Sequence, residues 1–365
     1  MKKICFITPT SQQIIGFRKS LILELQKEGH CVSAITFDDQ NKEQVQALGV
    51  ELYCVRTANR SLNPFRTLTL KSKLAKVIKQ LKPDIVFTFM VKPNTFGVLA
   101  AHKAGIENVY SKVEGAGDVF IKNGLKWKII RKIVCHLYKK AFKFSKKVFF
   151  LNNDDKAEFI ERKLVKEEQC AVIHGIGVDL DRFQYRTIVQ FNTFIMLSRL
   201  LKTKGVYEYC KAAREVKQKY TDATFYLAGV EEDIKVKDLQ EYIDDNSIVY
   251  LGELKDVIPF LEKSTVNVLP SYREGFGLVN AEAAAIGRPS ITCDTNGTRD
   301  TIIDGISGFL VKVASVNDIA EKMIYFIENP EQADIMGQNA RKFAEENFDA
   351  HIINEKIVQI VLMSF

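Results

Sequence analysis

Short β-rich runs alternate with amphipathic segments along the whole chain, and this alternation limits the fold more than any other feature. It is typical of parallel sheets, because parallel neighbours must be joined by crossover segments that are usually helices. A first series of strands is predicted at residues 4–8, 31–36, 52–55, 85–89, 108–111, 148–151 and 171–173. The pattern restarts at residues 194–197, 224–228, 248–251, 266–269, 290–292 and 308–311. We therefore predict an α/β fold with two doubly wound, Rossmann-like domains.

The boundary between the predicted domains lies where this periodicity is lost. Residues 176–192 carry glycines and charges without a helix or strand pattern, which is typical of a linker. The predicted domains are therefore residues 1–175 and 193–350, and a C-terminal helix at 351–365 is expected to pack back on the first domain. Because ligands bind beyond the carboxyl ends of strands in open parallel sheets, we expect the domains to face each other across a cleft.

The composition of the 365 residues is that of a globular protein, with 46% hydrophobic and 27% charged residues. It excludes a disordered or collagen-like chain. No uncharged apolar run reaches about 18 residues, and the apolar stretch before Pro9 is too short for a signal peptide, so we expect a cytoplasmic protein. The seven cysteines form no CxxC pair and no cluster with histidine, so we interpret them as core residues and expect no structural zinc.

The net charge of +7 is unevenly distributed. Residues 1–183 carry 32 Lys and Arg against 18 Asp and Glu, whereas residues 184–365 carry 20 against 27. A basic first half is compatible with nucleic acid, an anionic membrane surface or phosphorylated ligands, and charge alone does not choose among them. The motifs of nucleic-acid readers are absent from the sequence, so we expect no nucleic-acid partner.

The usual phosphate and metal motifs are also missing from the sequence. It contains no GxxxxGKS or GxxxxGKT, no GxGxxG after the first strand and no HExxH. A helix is predicted over residues 17–28, and the first strand leads to Gly16 and Arg18 at its start. Free backbone amides there could bind a phosphate or an acceptor sugar. An ordinary turn between strand and helix is an equally good interpretation.

Two cations follow the first strand of the second half. Arg199 and Lys204 lie between the strand at 194–197 and the next predicted helix. Arg offers a rigid donor fork and Lys a point charge, and each charge-assisted hydrogen bond to a phosphate contributes about 1.5 to 3 kcal/mol. The pair is a candidate for binding a diphosphate, although isolated cations in a loop are more often solvated.

A pair of glutamates follows the strand at 266–269. Glu274 lies in the loop after this strand and Glu282 about one turn inside the next helix. A carboxylate in the loop can accept hydrogen bonds from sugar hydroxyls, and one on the helix can bind both hydroxyls of a ribose. Two intervening glycines allow an anionic ligand to approach the helix N-terminus. The candidate donor-binding residues between the glutamates are Gly275, Phe276, Gly277 and Leu278.

With these residues the second half resembles the retaining glycosyltransferases of family 4, which have the GT-B fold of two facing Rossmann-like domains. The resembling positions are residues 199, 204–205, 274, 282, 287–291, 304–305 and 308–310. The resemblance implies that Arg199 and Lys204 hold the diphosphate of a nucleotide sugar, that Glu274 contacts the transferred sugar and that Glu282 binds the ribose. It thereby makes Glu274, Arg199 and Lys204 the candidate catalytic residues, and it implies that the anomeric configuration is retained.

The first half resembles a narrower group, the enzymes that extend saccharides on undecaprenyl diphosphate. These build O-antigens, capsules and bacterial protein N-glycans, and include N-acetylgalactosaminyltransferases of the PglA type. The resembling segments are residues 61–65, 82–86, 92–101 and 113–117. The resemblance implies transfer of an N-acetylhexosamine from a UDP-sugar to a polyprenyl-diphosphate-linked saccharide, without a cofactor. The candidate acceptor-side residues are Gly16, Arg18, Lys92, Asn94, Glu114 and Gly115. For Glu114, whose carboxylate at a strand end could bind acceptor hydroxyls, a role in stabilising the turn is the alternative.

A strongly basic segment lies between Asp118 and Asp154. It contains ten Lys and Arg and no acidic residue, and its apolar residues recur with helical spacing. This pattern is typical of an amphipathic helix at a membrane surface, where each basic residue contributes about 1 kcal/mol near an anionic bilayer. The alternative is a solvated helix whose apolar stripe packs on the sheet. The candidate membrane residues are Lys126, Trp127, Arg131, Lys132, Lys139 and Lys140.

Two other patterns receive structural interpretations. Asp179 and Asp181 match the DxD spelling of metal-dependent glycosyltransferases but lie in the predicted linker, where we expect them to shape a turn and cap a helix. No metal site is therefore expected. No catalytic role is expected for His102 or His136, and none can be argued for His174.

These patterns together predict a retaining, metal-independent glycosyltransferase that is peripheral on the inner face of the cell membrane. Its expected partners are a nucleotide diphosphate sugar with UDP as the carrier, a lipid-linked saccharide acceptor and the anionic membrane surface. Two alternatives remain open, a GT-B transferase with a soluble acceptor and a non-enzymatic protein that binds nucleotides or sugars. Nucleotide binding with turnover separates the enzymes from the binding protein.

Overall fold

The computed structural model describes residues 1–57, 64–115, 117–121 and 124–363. The chain divides into two compact units. The first comprises Met1–Ile176 together with the residues from Ala350 onward, and the second comprises Gly177–Asp349. Each unit is built on its own parallel sheet, which confirms the predicted α/β fold with two doubly wound, Rossmann-like domains.

The sheet of the first unit has seven parallel strands. They are β1 (Lys3–Ile7), β2 (Cys31–Thr36), β3 (Glu51–Cys54), β4 (Ile85–Phe89), β5 (Val109–Val113), β6 (Lys147–Phe150) and β7 (Cys170–Val172). Their spatial order is β3-β2-β1-β4-β5-β6-β7. The central strands are apolar on both sides, as is typical of a parallel sheet buried between helices. Phe6, Phe87 and Phe149 are buried there, and the ring centroids of Phe87 and Phe89 lie 4.7 Å apart.

The first unit has both α-helices and π-helical segments. Its α-helices before the second unit are α1 (Ser11–Gln13), α2 (Lys19–Lys27), α3 (Lys42–Ala47), α4 (Pro64–Leu81), α5 (Val98–Lys103), α6 (Asp118–Ile121), α7 (Leu125–Ala141) and α8 (Asn153–Glu161). The π-helical segments are Ile14–Arg18 and Pro93–Gly97. Single turns of 3-10 helix cover Phe142–Phe144 and Glu167–Gln169.

The helix after β1 begins earlier than predicted. The side chain of Thr10 accepts a hydrogen bond from the backbone N–H of Gln13 at 3.3 Å and so caps a helix that starts at Ser11. The predicted start at residue 17 is therefore wrong. Gly16 and Arg18 lie inside a π-helical segment that continues into α2, and they do not form the N-terminus of the helix.

The second unit contains a six-stranded parallel sheet. Its strands are β8 (Thr193–Leu197), β9 (Thr224–Ala228), β10 (Val249–Tyr250), β11 (Val266–Leu269), β12 (Ser290–Cys293) and β13 (Gly308–Val311), in the order β10-β9-β8-β11-β12-β13. Its α-helices are α9 (Val206–Lys219), α10 (Gln240–Asp244), α11 (Ile258–Glu262), α12 (Leu278–Ile286), α13 (Val316–Glu328) and α14 (Pro330–Asn347). Turns of 3-10 helix cover Lys202–Lys204, Val236–Leu239 and Arg299–Thr301. Phe194 and Phe225 stack in its core with centroids 5.2 Å apart.

The last helix, α15 (Ala350–Leu362), belongs to the first unit, where it packs against α2. The hydroxyl of Tyr110 in β5 donates a hydrogen bond to the carbonyl of Val361 at 3.1 Å. Residues 177–192, which the sequence presents as a linker, are grouped with the second unit. No described helix combines the length and the apolar character that crossing a membrane requires.

Candidate functional site

The strand order of the second unit brings two loops of interest together. The strand order reverses between β8 and β11, because the strands after β8 are added first on one side of it and then on the other. Open parallel sheets bind ligands beyond the carboxyl ends of the strands at such a switch point. Arg199 and Lys204 follow β8, and Glu274 follows β11. The predicted donor-site residues therefore flank the switch point of their own unit.

Lys204 and Glu274 contact each other across this switch point. The ammonium group of Lys204 forms an ion pair with Oε1 of Glu274, and the hydroxyl of Ser271 donates to the same oxygen at 2.6 Å. The two charged side chains are only 18% and 13% exposed. The backbone N–H of Tyr272 donates to the carbonyl of Thr203 at 2.9 Å and ties the two loops together.

Gly205 makes this approach of the two loops possible. Its φ is +75°, a left-handed value that glycine adopts without strain. A Cβ atom at this position would lie 2.3 Å from the carbonyl oxygen of Pro270. A larger residue would therefore push apart the loops that carry Lys204 and Glu274.

Arg199 has a different partner. Its Nη1 lies 3.2 Å from Oε1 of Glu232, in the segment that follows β9, and its side chain is 56% exposed. The structure thus joins Lys204 to Glu274 and Arg199 to Glu232. A surface ion pair of this kind contributes less than about 1 kcal/mol, so Arg199 can exchange Glu232 for another anion at small cost.

The loop between Glu274 and α12 is held by a segment that sequence reasoning missed. The backbone N–H groups of Glu274 and Gly277 donate to the carbonyls of Asn296 and Gly297, at 3.0 and 2.6 Å. Gly297 has a φ of +76°, and a Cβ atom there would lie 2.3 Å from the carbonyl oxygen of Glu274. The Asn-Gly pair after β12 is a turn signal that could have indicated this segment. The Gly277 amide thus has a backbone partner, and the donor-binding role of this loop stays a prediction.

The other residues of this loop are placed differently from one another. Phe276 is buried, and its ring packs edge-to-face on Phe348 at 5.4 Å, so its side chain belongs to the core of the unit. Gly275 is partly exposed, and Leu278 is the first residue of α12. The expectation that Phe276 lines a donor site is not matched by the position of its side chain.

Glu282 lies in the second turn of α12 and is half-buried. Burial raises the pKa of its carboxyl group to about 7, and the nearby Arg182 opposes this rise. The side chain is therefore close to half-ionised at neutral pH, and hydrogen-bond donors that favour the carboxylate would ionise it further.

Arg288, in the Gly-Arg-Pro segment after α12, is a structural residue. It is fully buried, and its guanidinium donates to the carbonyls of Leu261 and Glu262 at 3.2 and 2.8 Å. It thereby supplies hydrogen bonds to carbonyl groups at the end of α11.

The switch point of the first unit lies between β1 and β4, and a π-helical segment follows each of these strands. Arg18 ends the first segment, and Asn94 lies in the second. Asn94 is buried, accepts a hydrogen bond from Thr88 at 2.8 Å and donates to the carbonyl of Lys112 at 2.8 Å. Such π-helical segments occur frequently at functional sites.

Arg18 and Glu114 form a buried ion pair at this edge of the sheet. The guanidinium of Arg18 lies over the ring of Phe89, with 4.3 Å between its carbon and the ring centroid. Lys112 also approaches the pair, with its Nζ 3.8 Å from Oε1 of Glu114. Sequence reasoning missed Lys112, although a lysine inside an apolar strand is itself an unusual feature.

The three remaining acceptor-side candidates differ in their surroundings. Lys92 is half-buried, and burial lowers its pKa. Gly115 is partly exposed next to Glu114, whereas Gly16 lies within the first π-helical segment. Of the segments that carry the first-half resemblance, residues 61–63 and residue 116 lie outside the described residues.

Helix α7 contains the predicted membrane residues. Val134, Tyr138 and Ala141 are buried against the first unit, so part of the apolar stripe packs inward. Trp127 and Arg131 are half-buried. The remaining four candidates are exposed, namely Lys126, Lys132, Lys139 and Lys140.

A second apolar stripe of α7 faces outward. Leu125, Ile129 and Ile133 are 76%, 53% and 49% exposed. They recur every four residues and therefore lie on one face of the helix. The exposed lysines lie beside this stripe on the same helix.

Asp179 shapes a turn. Its carboxylate accepts hydrogen bonds from the backbone N–H groups of Asp181 and Arg182 at 3.1 and 3.0 Å. Among the described residues, no three His, Cys, Asp or Glu side chains come together as a metal site would require. His102, His136 and His174 are exposed, and His102 stacks on Phe144 at 3.6 Å.

Each unit matches a family model. Residues 3–152 match the model described as glycosyl transferase 4-like, and residues 178–343 match the model described as glycosyl transferases group 1. Together the two matched ranges span most of the chain.

Curated relatives cover nearly the whole chain. One is the N,N'-diacetylbacillosaminyl-diphospho-undecaprenol alpha-1,3-N-acetylgalactosaminyltransferase of Campylobacter jejuni, which is 29% identical over 98% of each chain. Another is the UDP-Gal:alpha-D-GlcNAc-diphosphoundecaprenol alpha-1,3-galactosyltransferase of Escherichia coli, which is 26% identical over 82% of this chain and 80% of its own.

A solved structure of similar fold is that of HepE from Anabaena in complex with UDP and glucose. It superposes with a TM-score of 0.82 over the full length of both chains, at 19% sequence identity. The family models, the relatives and this fold agree with the resemblance that Arg199, Lys204, Glu274 and Glu282 carry. The chain belongs to the family 4 glycosyltransferases, and its fold is GT-B.

Proposed function

We propose that this glycosyltransferase moves an N-acetylhexosamine from a UDP-sugar to a saccharide linked to polyprenyl diphosphate, with retention of the anomeric configuration. The names of the relatives from Campylobacter jejuni and Escherichia coli support the acceptor class. In this reaction the acceptor oxygen bonds to C1 of the donor sugar, the bond from C1 to the diphosphate breaks, and the hydroxyl proton is released.

The observation that carries the proposal is the contact between Lys204 and Glu274. Lys204 is assigned to the diphosphate and Glu274 to the transferred sugar. Because these two parts of a nucleotide sugar are joined by one glycosidic bond, their protein ligands must lie side by side. The contact of these two side chains at a switch point meets that requirement and supports the proposed roles.

In this proposal Arg199 and Lys204 neutralise the charge that develops on the leaving diphosphate. Arg199 releases Glu232, and Lys204 shares its charge between Glu274 and a phosphate oxygen. Cationic donors aimed at a leaving group stabilise the transition state more than the ground state. Two such cations can serve in place of a metal ion, so we propose that the reaction needs no metal.

Glu282 is proposed to bind the two ribose hydroxyls of the nucleotide. Its half-buried carboxyl group has few charged neighbours, with Arg182 as the charge that acts on its pKa. Two ribose hydroxyls would donate hydrogen bonds to the carboxylate oxygens and offset part of the free energy needed to ionise a buried acid.

The membrane surface is proposed to dock on α7. The exposed Leu125, Ile129 and Ile133 can enter the headgroup region, while the exposed lysines of the same helix pair with anionic lipids. A lipid-linked acceptor is confined to the bilayer, so an enzyme held at the surface meets it without crossing the membrane. This arrangement favours the lipid-linked acceptor over the soluble one.

A panel of nucleotide sugars tests the function. The parent enzyme and the variants Glu274→Gln and Lys204→Ala are incubated with each donor and with N-acetylglucosamine diphosphate linked to a short prenyl chain, and nucleotide release is followed. We expect release with a UDP-N-acetylhexosamine by the parent. Glu274→Gln should bind UDP normally but turn over about 100- to 1000-fold more slowly.

Lys202→Ala serves as the matched control, because Lys202 lies in the same turn as Lys204 and is exposed. It should behave like the parent. If the parent releases a nucleotide with none of the donors in the panel, the proposed function is contradicted.

A further inference from the structure

Three ionisable side chains are buried together at the carboxyl edge of the first sheet, and the proposed donor chemistry uses none of them. Arg18 ends the π-helical segment after β1, Lys112 lies inside β5, and Glu114 follows β5. Their side chains are 1%, 4% and 10% exposed. The cluster adjoins the switch point between β1 and β4, where an open parallel sheet binds its ligand.

Stability does not explain this cluster. Apolar residues of similar volume in place of a buried ion pair are often neutral or stabilising, because charges lose their hydration on burial. Two cations here face a single carboxylate, and burial lowers the pKa of Lys112 to about 8. Nε and Nη1 of Arg18 have no hydrogen-bond partner among the described residues. A buried cluster with excess positive charge and unpaired donors indicates a functional role.

Glu114 is the member of the cluster that a ligand meets first. It is more exposed than either cation. Its Oε2 forms an ion pair with Arg18, and its Oε1 forms one with Lys112. Arg18 is held in turn by the ring of Phe89. Oε1 of Glu114 is itself buried and has no hydrogen-bond partner among the described residues. A carboxylate fixed in this way can still accept a hydrogen bond from a hydroxyl group of a ligand, and its charge repels a phosphate.

Exposed apolar side chains are next in sequence to two residues of this site. Phe17 precedes Arg18 and is 45% exposed, and Met90 follows Phe89 and is 36% exposed. Met90 has a φ of +71°, a strained value for a residue other than glycine. Apolar surface near a fixed polar group is typical of small-molecule sites, and a sugar offers both hydroxyls and an apolar ring face.

We propose that Glu114 binds the acceptor sugar through a hydroxyl group, and that Arg18 and Lys112 are positioning residues that fix its carboxylate. The proposal deepens the proposed function and rests on it in one respect, since it takes the ligand of the first unit to be the saccharide acceptor.

Binding and transfer by Glu114→Gln test the proposal. The probe is N-acetylglucosamine diphosphate linked to farnesol, titrated calorimetrically into the enzyme with UDP present. Because a hydrogen bond to a charged group is lost, we expect the probe to bind about 10- to 100-fold more weakly, with an equal rise in the KM for this acceptor. The affinity for UDP and the slow hydrolysis of the donor should not change.

Lys112→Met tests the positioning role separately. It should raise the acceptor KM as Glu114→Gln does, yet leave the thermal unfolding temperature unchanged or higher, because it removes a buried charge. A merely structural lysine would lower the unfolding temperature without a selective change in acceptor KM. Glu24→Gln is the matched control, because Glu24 is a similarly shielded carboxylate of the same unit, 13% exposed, on α2.

The outcomes separate this proposal from the proposed function. Equal probe affinity for the parent and Glu114→Gln, or no probe binding by the parent, overturns the proposal even where the enzyme transfers sugar. Loss of UDP affinity in both Glu114→Gln and Lys112→Met also overturns it, since the cluster would then serve the donor. If the parent binds the probe and Glu114→Gln does not, yet the parent turns over no donor, the result supports this proposal and contradicts the proposed function.

Discussion

Lys204→Ala removes the cation that contacts Glu274 and leaves that carboxylate, 13% exposed, with the hydroxyl of Ser271 as its neighbouring donor. If Lys204 binds the donor diphosphate, the variant loses a charge-assisted hydrogen bond of about 1.5 to 3 kcal/mol. The Kd for UDP should therefore rise roughly 10- to 150-fold. The uncovered carboxylate of Glu274 also repels the diphosphate, so we expect the upper part of this range.

Calorimetric titration of UDP into the parent, Lys204→Ala and Lys202→Ala measures this effect. Lys202 lies two residues earlier in the same 3-10 turn, and its ammonium group has no ion pair among the described residues, so its variant should bind UDP like the parent. Turnover of Lys204→Ala should fall further than its affinity, because the leaving diphosphate gains charge in the transition state. Equal UDP affinity for the parent and Lys204→Ala would refute the assignment of Lys204.

Four other outcomes are expected. The affinity for UDP should rise between pH 6 and pH 8, as Glu282 ionises around its raised pKa of about 7 and its carboxylate form accepts the ribose hydroxyls, and calorimetry of Glu282→Gln should show no such rise. Phe276→Leu should lower the melting temperature but not the affinity for UDP, since its ring packs in the core. EDTA should leave the transfer rate unchanged, and a metal requirement would contradict the assignment of the diphosphate to two cations. The fraction of enzyme that sediments with anionic vesicles should fall steeply when four exposed lysines of α7 are neutralised. It should not fall when four exposed lysines of the second unit are neutralised. The α7 set is Lys126, Lys132, Lys139 and Lys140, and the control set is Lys211, Lys237, Lys255 and Lys263.

The fold was predictable because its signals are local and repeated. Buried parallel strands are short apolar runs, and a crossover helix must follow each one, so the two series of strands identify two sheets. The rule that ligands bind beyond the carboxyl ends of strands then singles out Arg199, Lys204 and Glu274, since all three follow such strands. The structure joins Lys204 to Glu274 but joins Arg199 to Glu232.

The details that escaped prediction depend on one local cap and on contacts between distant parts of the chain. The helix starts at Ser11 because the side chain of Thr10 caps it, although the apolar pattern that predicted the helix begins later in the chain. The position of Phe276 between two glycines suggested a donor-site residue, but its ring packs on Phe348 in the core of the unit. The contacts of Lys112 are not evident from the sequence, because Arg18 follows β1 and Glu114 follows β5, and only the fold brings them together.

The nature of the acceptor is tested most directly by mass spectrometry of the transfer product. The enzyme is given a UDP-N-acetylhexosamine with anionic vesicles and an equimolar mixture of two acceptors, N-acetylglucosamine linked through diphosphate to a long prenyl chain and the same sugar as its free methyl glycoside. The proposed function predicts one added N-acetylhexosamine on the lipid-linked acceptor and none on the glycoside. Equal modification of both acceptors, or modification of the glycoside alone, would contradict it.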